Sequence, residues 1–361
     1  MADLMSGSYT YEALAKEYGN FIIPLIKIVV NGIDLVSKQK LAVSSARVTL
    51  SLEGAGMAVI KLSGLYDEKK HTFDSSAKSS FKVGTVVVLE LGYGSKSLAV
   101  FKGYVAMLGC EFGEKSPQIV VTLMDARRLM MTSGATYRLH DVKNYSDAVS
   151  QILKKYSKLC SPVVEATSDN LTEMVSQTQN DYLFITNELI CQGKVNREFF
   201  ILGDKVYFRE PRKQKSPVIT MQFGRELLAL KADDEYRDLK VNVHGCDEDK
   251  QESVVGSAAV GKAKGQTSLI NPTPELNLTD PTADSQKKAA NRAKVIAEHI
   301  QWRAQTGRGM CIGMPEIVPG RYIKVEKLDA DLGDRSYYLK SVVHEWDEEH
   351  YITMFDIEGF K

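Results

Sequence analysis

The strongest constraint on the fold of this chain is a series of short β-branched and apolar runs that are separated by glycines. The runs occupy residues 47–52, 86–91, 104–107 and 119–123. Runs of this length between turn residues are typical of antiparallel strands. An Asn31-Gly32 step upstream of them favours a tight hairpin turn. Residues 20–128 are therefore predicted to form a first β-barrel domain.

In the middle of the chain the apolar residues repeat with the period of a helix instead of a strand. Apolar residues at +4, +3 and +4 spacing predict an amphipathic helix over 146–159, and a second helix is predicted over 180–192. A β-hairpin is predicted over 197–209, where Pro211 ends the pairing because proline cannot donate to a ladder. Residues 129–232 are interpreted as a small α+β insertion module.

Strand character returns in residues 233–361, which are predicted to form a second β-barrel domain with a helix over 286–304. Segment 247–285 is rich in Gly, Ala, Ser, Thr, Pro and Asp and has no sustained period, so we expect a flexible linker or loop there. Residues 1–19 are predicted to be an N-terminal helical arm. The predicted fold class is mainly β with an α+β insertion.

Charge and hydropathy exclude several classes of protein. The 46 basic and 46 acidic side chains cancel, which argues against specific nucleic-acid binding and against attachment to an anionic membrane. The longest apolar stretch, residues 21–30, is broken by Pro24 and Lys27 and is shorter than the ~20 residues of a membrane helix. The N-terminus lacks the pattern of a signal peptide, so we expect synthesis in the bacterial cytoplasm without export.

Motifs of catalysis and of cofactor binding are missing from the sequence. It contains no GxSxG, no GxxxxGK[ST] and no HExxH, and its five cysteines are widely spaced. The run from His344 to His350 superficially resembles a metal cluster, but a solvated acidic turn between two strands explains it better. We therefore expect no enzyme activity, no cofactor and no metal.

Charges are segregated along the chain. Segment 205–215 carries five basic residues against one acidic, whereas segment 341–361 carries six acidic residues against one basic. The basic segment suits an acidic partner surface or, with its aromatic residues, a single-stranded nucleic acid. We favour protein interfaces or a channel wall, and the candidate interface residues are Lys205, Arg209, Arg212, Lys213, Lys215, Glu345, Asp347, Glu348 and Glu349.

The order of several segments resembles that of the phage late control D family, which comprises the baseplate hub proteins of contractile tails and the base of type VI secretion spike proteins. The matching segments are 145–156, 177–184, 203–211, 223–228, 241–247, 320–325, 338–347 and 354–357. Because the sequence stops at Lys361, a separate polypeptide is expected to supply the spike.

The resemblance implies two tail-tube-like β-barrels per chain and a homotrimer. Three chains would present six similar barrels, which match a sixfold tail tube on one face and a threefold central spike on the other. The implied partners are copies of the chain, the tail tube protein, the central spike protein, other baseplate subunits and the tape measure protein. The implied location is a phage tail, a tailocin or a related particle. A tail-associated cell-wall hydrolase and a glycan- or nucleic-acid-binding β-module remain as alternatives.

Overall fold

Strands from both ends of the sequence join one large sheet. The structure is a computed structural model that describes residues 4–113, 116–134, 137–247, 250–329, 332–333 and 335–360. A short N-terminal arm precedes the first β unit. The elements of the arm and of this unit are α1 (Tyr11–Glu17), β1 (Pro24–Val30), β2 (Ile33–Asp34), α2 (Leu35–Gln39), β3 (Ala42–Ser51), β4 (Met57–Ser63), β5 (Tyr66–Asp67), β6 (Thr72–Phe73), α3 (Ser75–Ser80), β7 (Val86–Tyr93), β8 (Lys96–Glu111) and β9 (Gln118–Met124).

The first β unit follows the period of its sequence. In β1 every second side chain is buried, namely Ile26, Ile28 and Val30. This alternation is expected of an antiparallel strand with one face on the core. The predicted tight turn is confirmed, because Asn31 and Gly32 have φ of 50° and 79° and Val30 pairs with Ile33.

The insertion unit combines helices and small sheets. Its elements are α4 (Ala126–Met131), β10 (Arg138–His140), α5 (Tyr145–Leu153), β11 (Ser161–Val164), β12 (Val175–Gln177), α6 (Asp181–Leu183), β13 (Glu198–Leu202) and β14 (Lys205–Arg209). Helix α6 begins at Asn180, whose side chain accepts from the Leu183 N–H, and continues as a π-helix over Phe184–Cys191. The two predicted helices and the predicted hairpin are therefore confirmed.

The remaining elements alternate between the large sheet and a small α/β unit. They are β15 (Pro217–Gln222), β16 (Leu227–Asp234), β17 (Lys240–Asp247), β18 (Glu252–Ala259), β19 (Glu275–Thr279), α7 (Gln286–Arg303), β20 (Gln305–Ile312), β21 (Tyr322–Glu326), β22 (Ser336–Asp347) and β23 (Tyr351–Phe360). Strands β15, β16 and β20–β23 form the second β unit.

The two β units share one sheet and one core. The sheet order is β16-β20-β23-β22-β3-β4-β9-β8-β7-β1-β2, with β15 paired to β21 and β21 paired to β22. Strands β3 and β22 join the units by antiparallel pairing from Ser51↔Ser341 to Ser45↔Asp347. A single hydrophobic cluster includes buried residues of both units. The predicted fold class, mainly β with an α+β insertion, is confirmed.

The prediction of a flexible linker or loop over 247–285 is wrong where strands β18 and β19 form. Strand β18 pairs antiparallel with β17 from Asp247↔Glu252 to Lys240↔Ala259, and β19 pairs parallel with β17. Residues 248–249 of this segment lie outside the described residues. The pattern of β18 gave no clear strand signal because its second half consists of small residues, Gly256–Ala259, and helix α7 lies close to it at Gly256.

Helix α7 confirms the helix predicted over 286–304 and covers this small sheet. Its Ala289, Ala293 and Ala297 belong to the same buried cluster as Val241 and Val243 of β17. The Ser285 side chain accepts from the Lys288 N–H at the start of the helix. A separate third cluster belongs to the insertion unit. The domain boundaries given above stay predictions.

None of the helices that the structure describes has both the length and the apolar character needed to cross a bilayer.

We predict that Gly256→Ala destabilises the small α/β unit. A Cβ at this position would lie 2.1 Å from backbone atoms of Ala289 and Ala290, so α7 would have to move away from β18. We expect a loss of about 1–3 kcal/mol in the free energy of unfolding, measured in urea. Gly109→Ala on β8 is the matched control, because its Cβ would meet nothing within 4 Å. Equal stability of the two variants would contradict the close packing of α7.

Candidate functional site at the junction of the units

Arg209, in the basic segment 205–215, has its side chain buried inside the chain. This side chain is 5% exposed, its Nε donates to Glu198 Oε1 at 2.7 Å, and its Nη2 donates to the Gly320 carbonyl at 2.7 Å. The guanidinium also lies 5.0 Å from the centre of the Phe200 ring. Arg209 therefore serves a contact inside the chain and does not offer its charge to a partner, contrary to its prediction as an interface residue.

Glu198 is the acid that makes this burial possible. Its second oxygen, Oε2, accepts from the Tyr338 hydroxyl at 2.5 Å. Burial raises the pKa of the Glu198 carboxyl, and the charge of Arg209 opposes that shift. Burial and the neighbouring Glu198 raise the pKa of Tyr338 well above its usual value, so its hydroxyl keeps its proton. The three groups join the insertion unit to β22 of the second β unit.

Arg212 forms the second contact between units. Its guanidinium lies 4.2 Å from the ring centre of Trp302 on α7 and 4.9 Å from that of Tyr338 on β22. It also donates to the carbonyl of Glu358 on β23. A cation between two aromatic faces is held by attraction to both rings. Arg212 thus connects the insertion unit, the small α/β unit and the second β unit.

A cleft of about 300 Å³ opens beside Glu198 and Arg212. Its lining includes Tyr182, Arg212, His299, Trp302 and Tyr338, with charged side chains among them. Burial, with smaller contributions from Arg303 and Arg212, lowers the pKa of His299 to about 4, so this imidazole is neutral at pH 7. The junction cleft has the size and mixed polarity of a site for a small ligand or a partner's side chain.

Ion pairs close one side of the junction cleft. Glu53, in the loop after β3, lies 3.4 Å from Arg303 of α7 and 3.0 Å from Lys340 of β22. Lys340 also lies 3.1 Å from Glu358. Partly exposed pairs of this kind contribute little stability individually, but together they set the charges around the cleft.

The other basic candidates are less buried. Lys213 forms an ion pair with Glu165 of the insertion unit, Lys205 is half-buried at the start of β14, and Lys215 is exposed. Their prediction as interface residues stays a prediction. Of the basic candidates, Lys213 and Lys215 therefore offer the most accessible charge.

The acidic candidates lie on β22 and at its turn to β23. Glu345 pairs with Arg47 of β3. Asp347 accepts from the N–H groups of Glu349 at 2.9 Å and His350 at 2.6 Å, and these hydrogen bonds lower its pKa although partial burial alone would raise it. Glu348 and Glu349 are exposed. The interface prediction for these four residues stays a prediction.

The structure does not bring the basic and acidic candidates together. Tyr338, which contacts Arg212, is near the start of β22, whereas Asp347 ends the same strand. At ~3.4 Å per residue the two positions are about 30 Å apart. One chain therefore presents two separate charged surfaces.

The predicted solvated turn is confirmed for residues 348–350 but is wrong for His344–Asp347, which continue strand β22. Strand β22 ends at Asp347 and β23 begins at Tyr351. His344 is fully buried, its Nδ1 lies 3.0 Å from the Tyr351 hydroxyl, and burial lowers its pKa to about 3. His350 is exposed. Across the described ranges, no group of three or more His, Cys, Asp or Glu is placed to hold a metal ion.

Sequence reasoning missed Glu198 and the partners of Arg212. The hairpin register pairs Glu198 directly with Arg209, so the facing charges could have been found by aligning the two predicted strands. Trp302 was interpreted as a packing anchor, and its contact with Arg212 links positions that are distant in sequence. No local pattern predicts such a contact.

We predict that Arg209→Met strongly destabilises the chain. It leaves the Glu198 carboxylate buried without its cation, which costs about 3–5 kcal/mol in the free energy of unfolding. The double variant Arg209→Met/Glu198→Gln is the control, because it removes both charges and should recover part of that loss. Chemical denaturation measures the free energy of unfolding of the single and of the double variant. Equal losses in the two variants would contradict the coupling of these side chains.

Solved structures with the same fold are tail proteins. The chain is similar to a tail protein from Neisseria meningitidis MC58, with a TM-score of 0.68 and 11% identity over 93% of this chain and 96% of the other. It is also similar to the 43 kDa tail protein of prophage MuSo2 from Shewanella oneidensis, with a TM-score of 0.64 and 11% identity over 92% and 97% of the two chains.

A third similar structure comes from a secretion system. It is an E. coli protein described as a component of the type VI secretion system, with a TM-score of 0.55 and 12% identity over 93% of this chain and 77% of the other. The resemblance to contractile-tail hub proteins is thus confirmed at the level of the fold. No curated protein matches the chain. A family model does match, over residues 23–348, and the chain therefore belongs to the family described as the Alg8 N-terminal domain.

Proposed function

We propose that the chain is a structural hub of a contractile injection particle such as a phage tail or a tailocin. In this role it forms a homotrimer that joins a sixfold tail tube to a threefold central spike. The observation that carries the proposal is the tail-protein fold, which extends over 93% of this chain and 96% of the Neisseria protein. A likeness that spans both chains supports a role for the whole molecule rather than for one grafted module.

The sheet architecture gives the proposal a physical basis. Each chain contributes two β units that are fixed to each other by the pairing of β3 with β22. Three such chains would place six β units around one axis, so that a sixfold ring and a threefold ring both find matching surfaces. A rigid connection within each chain favours this role, because it keeps the two units at a constant relative orientation.

The separation of opposite charges on one chain supports a ring in which two different surfaces of neighbouring copies meet. A ring with cyclic symmetry needs two different, complementary patches on each copy. Lys213 and Lys215 between β14 and β15, and Glu348 and Glu349 beyond the end of β22, are exposed opposite charges on different elements. Complementary charges of this kind set the register of association and increase its rate.

The proposed partners are further copies of the chain, the tail tube protein, the central spike protein and other baseplate subunits, with the tape measure protein as an additional contact. The proposed location is the assembled particle. In this role the chain catalyses no reaction. It holds neighbouring subunits in place and transmits force between them.

We expect the purified chain to be a trimer, and to bind tube and spike subunits encoded by neighbouring reading frames. Multi-angle light scattering gives the mass, and co-expression followed by electron microscopy shows whether the three proteins assemble. Because one chain has a mass of 40.1 kDa, the mass of a trimer is easily distinguished from those of a monomer and a dimer. A chain that stays monomeric and binds neither subunit would contradict the proposal.

We predict that Lys213→Glu/Lys215→Glu weakens association between copies by roughly 10- to 100-fold in Kd, because like charges would then oppose one another. Adding Glu348→Lys/Glu349→Lys should restore association if the two surfaces meet. The control is Lys287→Glu/Lys294→Glu on the exposed face of α7, which makes the same change in net charge. Sedimentation measures each Kd. Equal effects of the test and control pairs would refute a specific role of the hairpin.

A further inference from the structure

The hydrogen bonds that hold the N-terminal arm go to the second β unit, although the Tyr18 ring also packs against Tyr93 of β7 in the first β unit. Arg321, before β21, donates to the carbonyls of Leu4 at 2.7 Å and Gly7 at 2.6 Å. The Tyr9 N–H donates to the Val218 carbonyl on β15 at 2.8 Å. These contacts run along the side of β15 opposite to its partner β21. The arm therefore caps the edge of a strand.

The end of the arm is held by a buried carboxyl group. The Tyr18 hydroxyl donates to Glu316 Oε1 at 2.6 Å, and the two residues are 3% and 2% exposed. The other oxygen, Oε2, is buried and finds no hydrogen-bond partner among the described residues. A buried carboxylate with one free oxygen lacks much of the hydration that stabilises its charge. The protonated carboxyl group suits this site better.

The groups around Glu316 reinforce this preference. Burial raises its pKa to about 7, the Tyr18 hydrogen bond opposes that shift, and the negative charge of Glu17 adds to it. The other titratable groups that face the cluster are Tyr93 of β7, Tyr351 of β23, His344 of β22 and Cys311 of β20. Burial raises the pKa values of Tyr93, Tyr351 and Cys311 and lowers that of His344 to about 3. These four groups therefore stay neutral where Glu316 titrates.

The connection between the arm and β1 has an unusual backbone. Gly19, Asn20 and Phe21 are consecutive left-handed residues, with φ of 57°, 57° and 59°. Only glycine adopts this conformation without a steric cost, so Asn20 and Phe21 are held there at the expense of free energy. Strain that persists in a folded chain must be compensated by surrounding contacts. Release of the arm would relieve it.

We propose that residues 4–18 form a clasp that is docked on the second β unit when Glu316 is protonated and is released more readily when Glu316 is ionised. The clasp is a property of the single chain and does not depend on the proposed hub function. When it opens, the edge of β15 that Tyr9 covers is uncovered, and an exposed edge can accept a strand from a partner.

The direction of the pH effect on docking follows from the linkage between protonation of Glu316 and docking of the arm. With the arm docked, the pKa of Glu316 is raised from its ordinary 4.5 to about 7, and the part of this burial that Tyr18 and the arm supply links docking to protonation. The stabilisation is therefore complete below about pH 4.5 and is lost as the pH rises through about 7. Each unit of pKa difference changes the docking equilibrium about tenfold. Between pH 5 and pH 8 we expect the opening constant of the arm to rise roughly 10- to 100-fold.

Hydrogen exchange on the full-length chain tests the clasp. Amide exchange of residues 4–18 is measured by mass spectrometry at pH 5 and pH 8, and is corrected for the intrinsic pH dependence of exchange. The corrected opening constant should rise in the wild type and stay constant in Glu316→Gln, because the amide cannot ionise. Amides of α5, which is packed in the separate core of the insertion unit, serve as the internal control.

A second variant keeps the test decisive if Glu316→Gln detaches the arm at both pH values. Tyr18→Phe removes the hydrogen bond but retains the titrating carboxyl, so its opening constant should be higher than in the wild type and should still rise with pH. An opening constant that is equal at pH 5 and pH 8 in the wild type would overturn the proposal. A pH dependence that survives Glu316→Gln would also overturn it.

Discussion

The pairing of β3 with β22 is the constraint on which the rest of the structure depends. It joins strands that are far apart in the chain, so that Arg47 and Glu345, 298 residues apart, become neighbours. Because of this pairing the two β units share one sheet and one buried cluster. It also fixes where the insertion unit and the small α/β unit emerge, since both lie between β3 and β22 in sequence. Closing so large a loop before any contact forms is entropically costly, so this sheet is expected to form late in folding.

The junction cleft follows from that geometry. Once β22 is anchored to β3, its other end presents Tyr338 to the insertion unit, where Glu198 and Arg209 complete a buried network. Buried ion pairs add little net stability compared with apolar packing, but they penalise every arrangement that separates them. Arg212, between Trp302 and Tyr338, acts in the same way on α7. The side chains at the junction therefore select one relative placement of the units, as the proposed hub role would require.

Local patterns predicted the elements well and the contacts between them poorly. The period of α5 and the Asn31-Gly32 turn are short-range features, and each was predicted from neighbouring residues. Strand β18 was missed because its small residues are explained only by α7, which lies later in the chain. The contact between Arg212 and Trp302 was missed for the same reason. Predicting it needs the relative placement of distant elements, which one sequence does not supply.

The zero net charge of the chain consists of charges with different roles. Arg209 and Glu198 cancel inside the junction, whereas Lys215, Glu348 and Glu349 remain exposed at separate places. Exposed charges contribute little to folding, so their segregation is better explained by association than by stability. Glu316 belongs to neither group, because its buried charge changes near neutral pH. Among the described residues, the paired charges at the junction therefore serve the fold, whereas the carboxyl group that holds the arm couples the fold to pH in the mechanism proposed above.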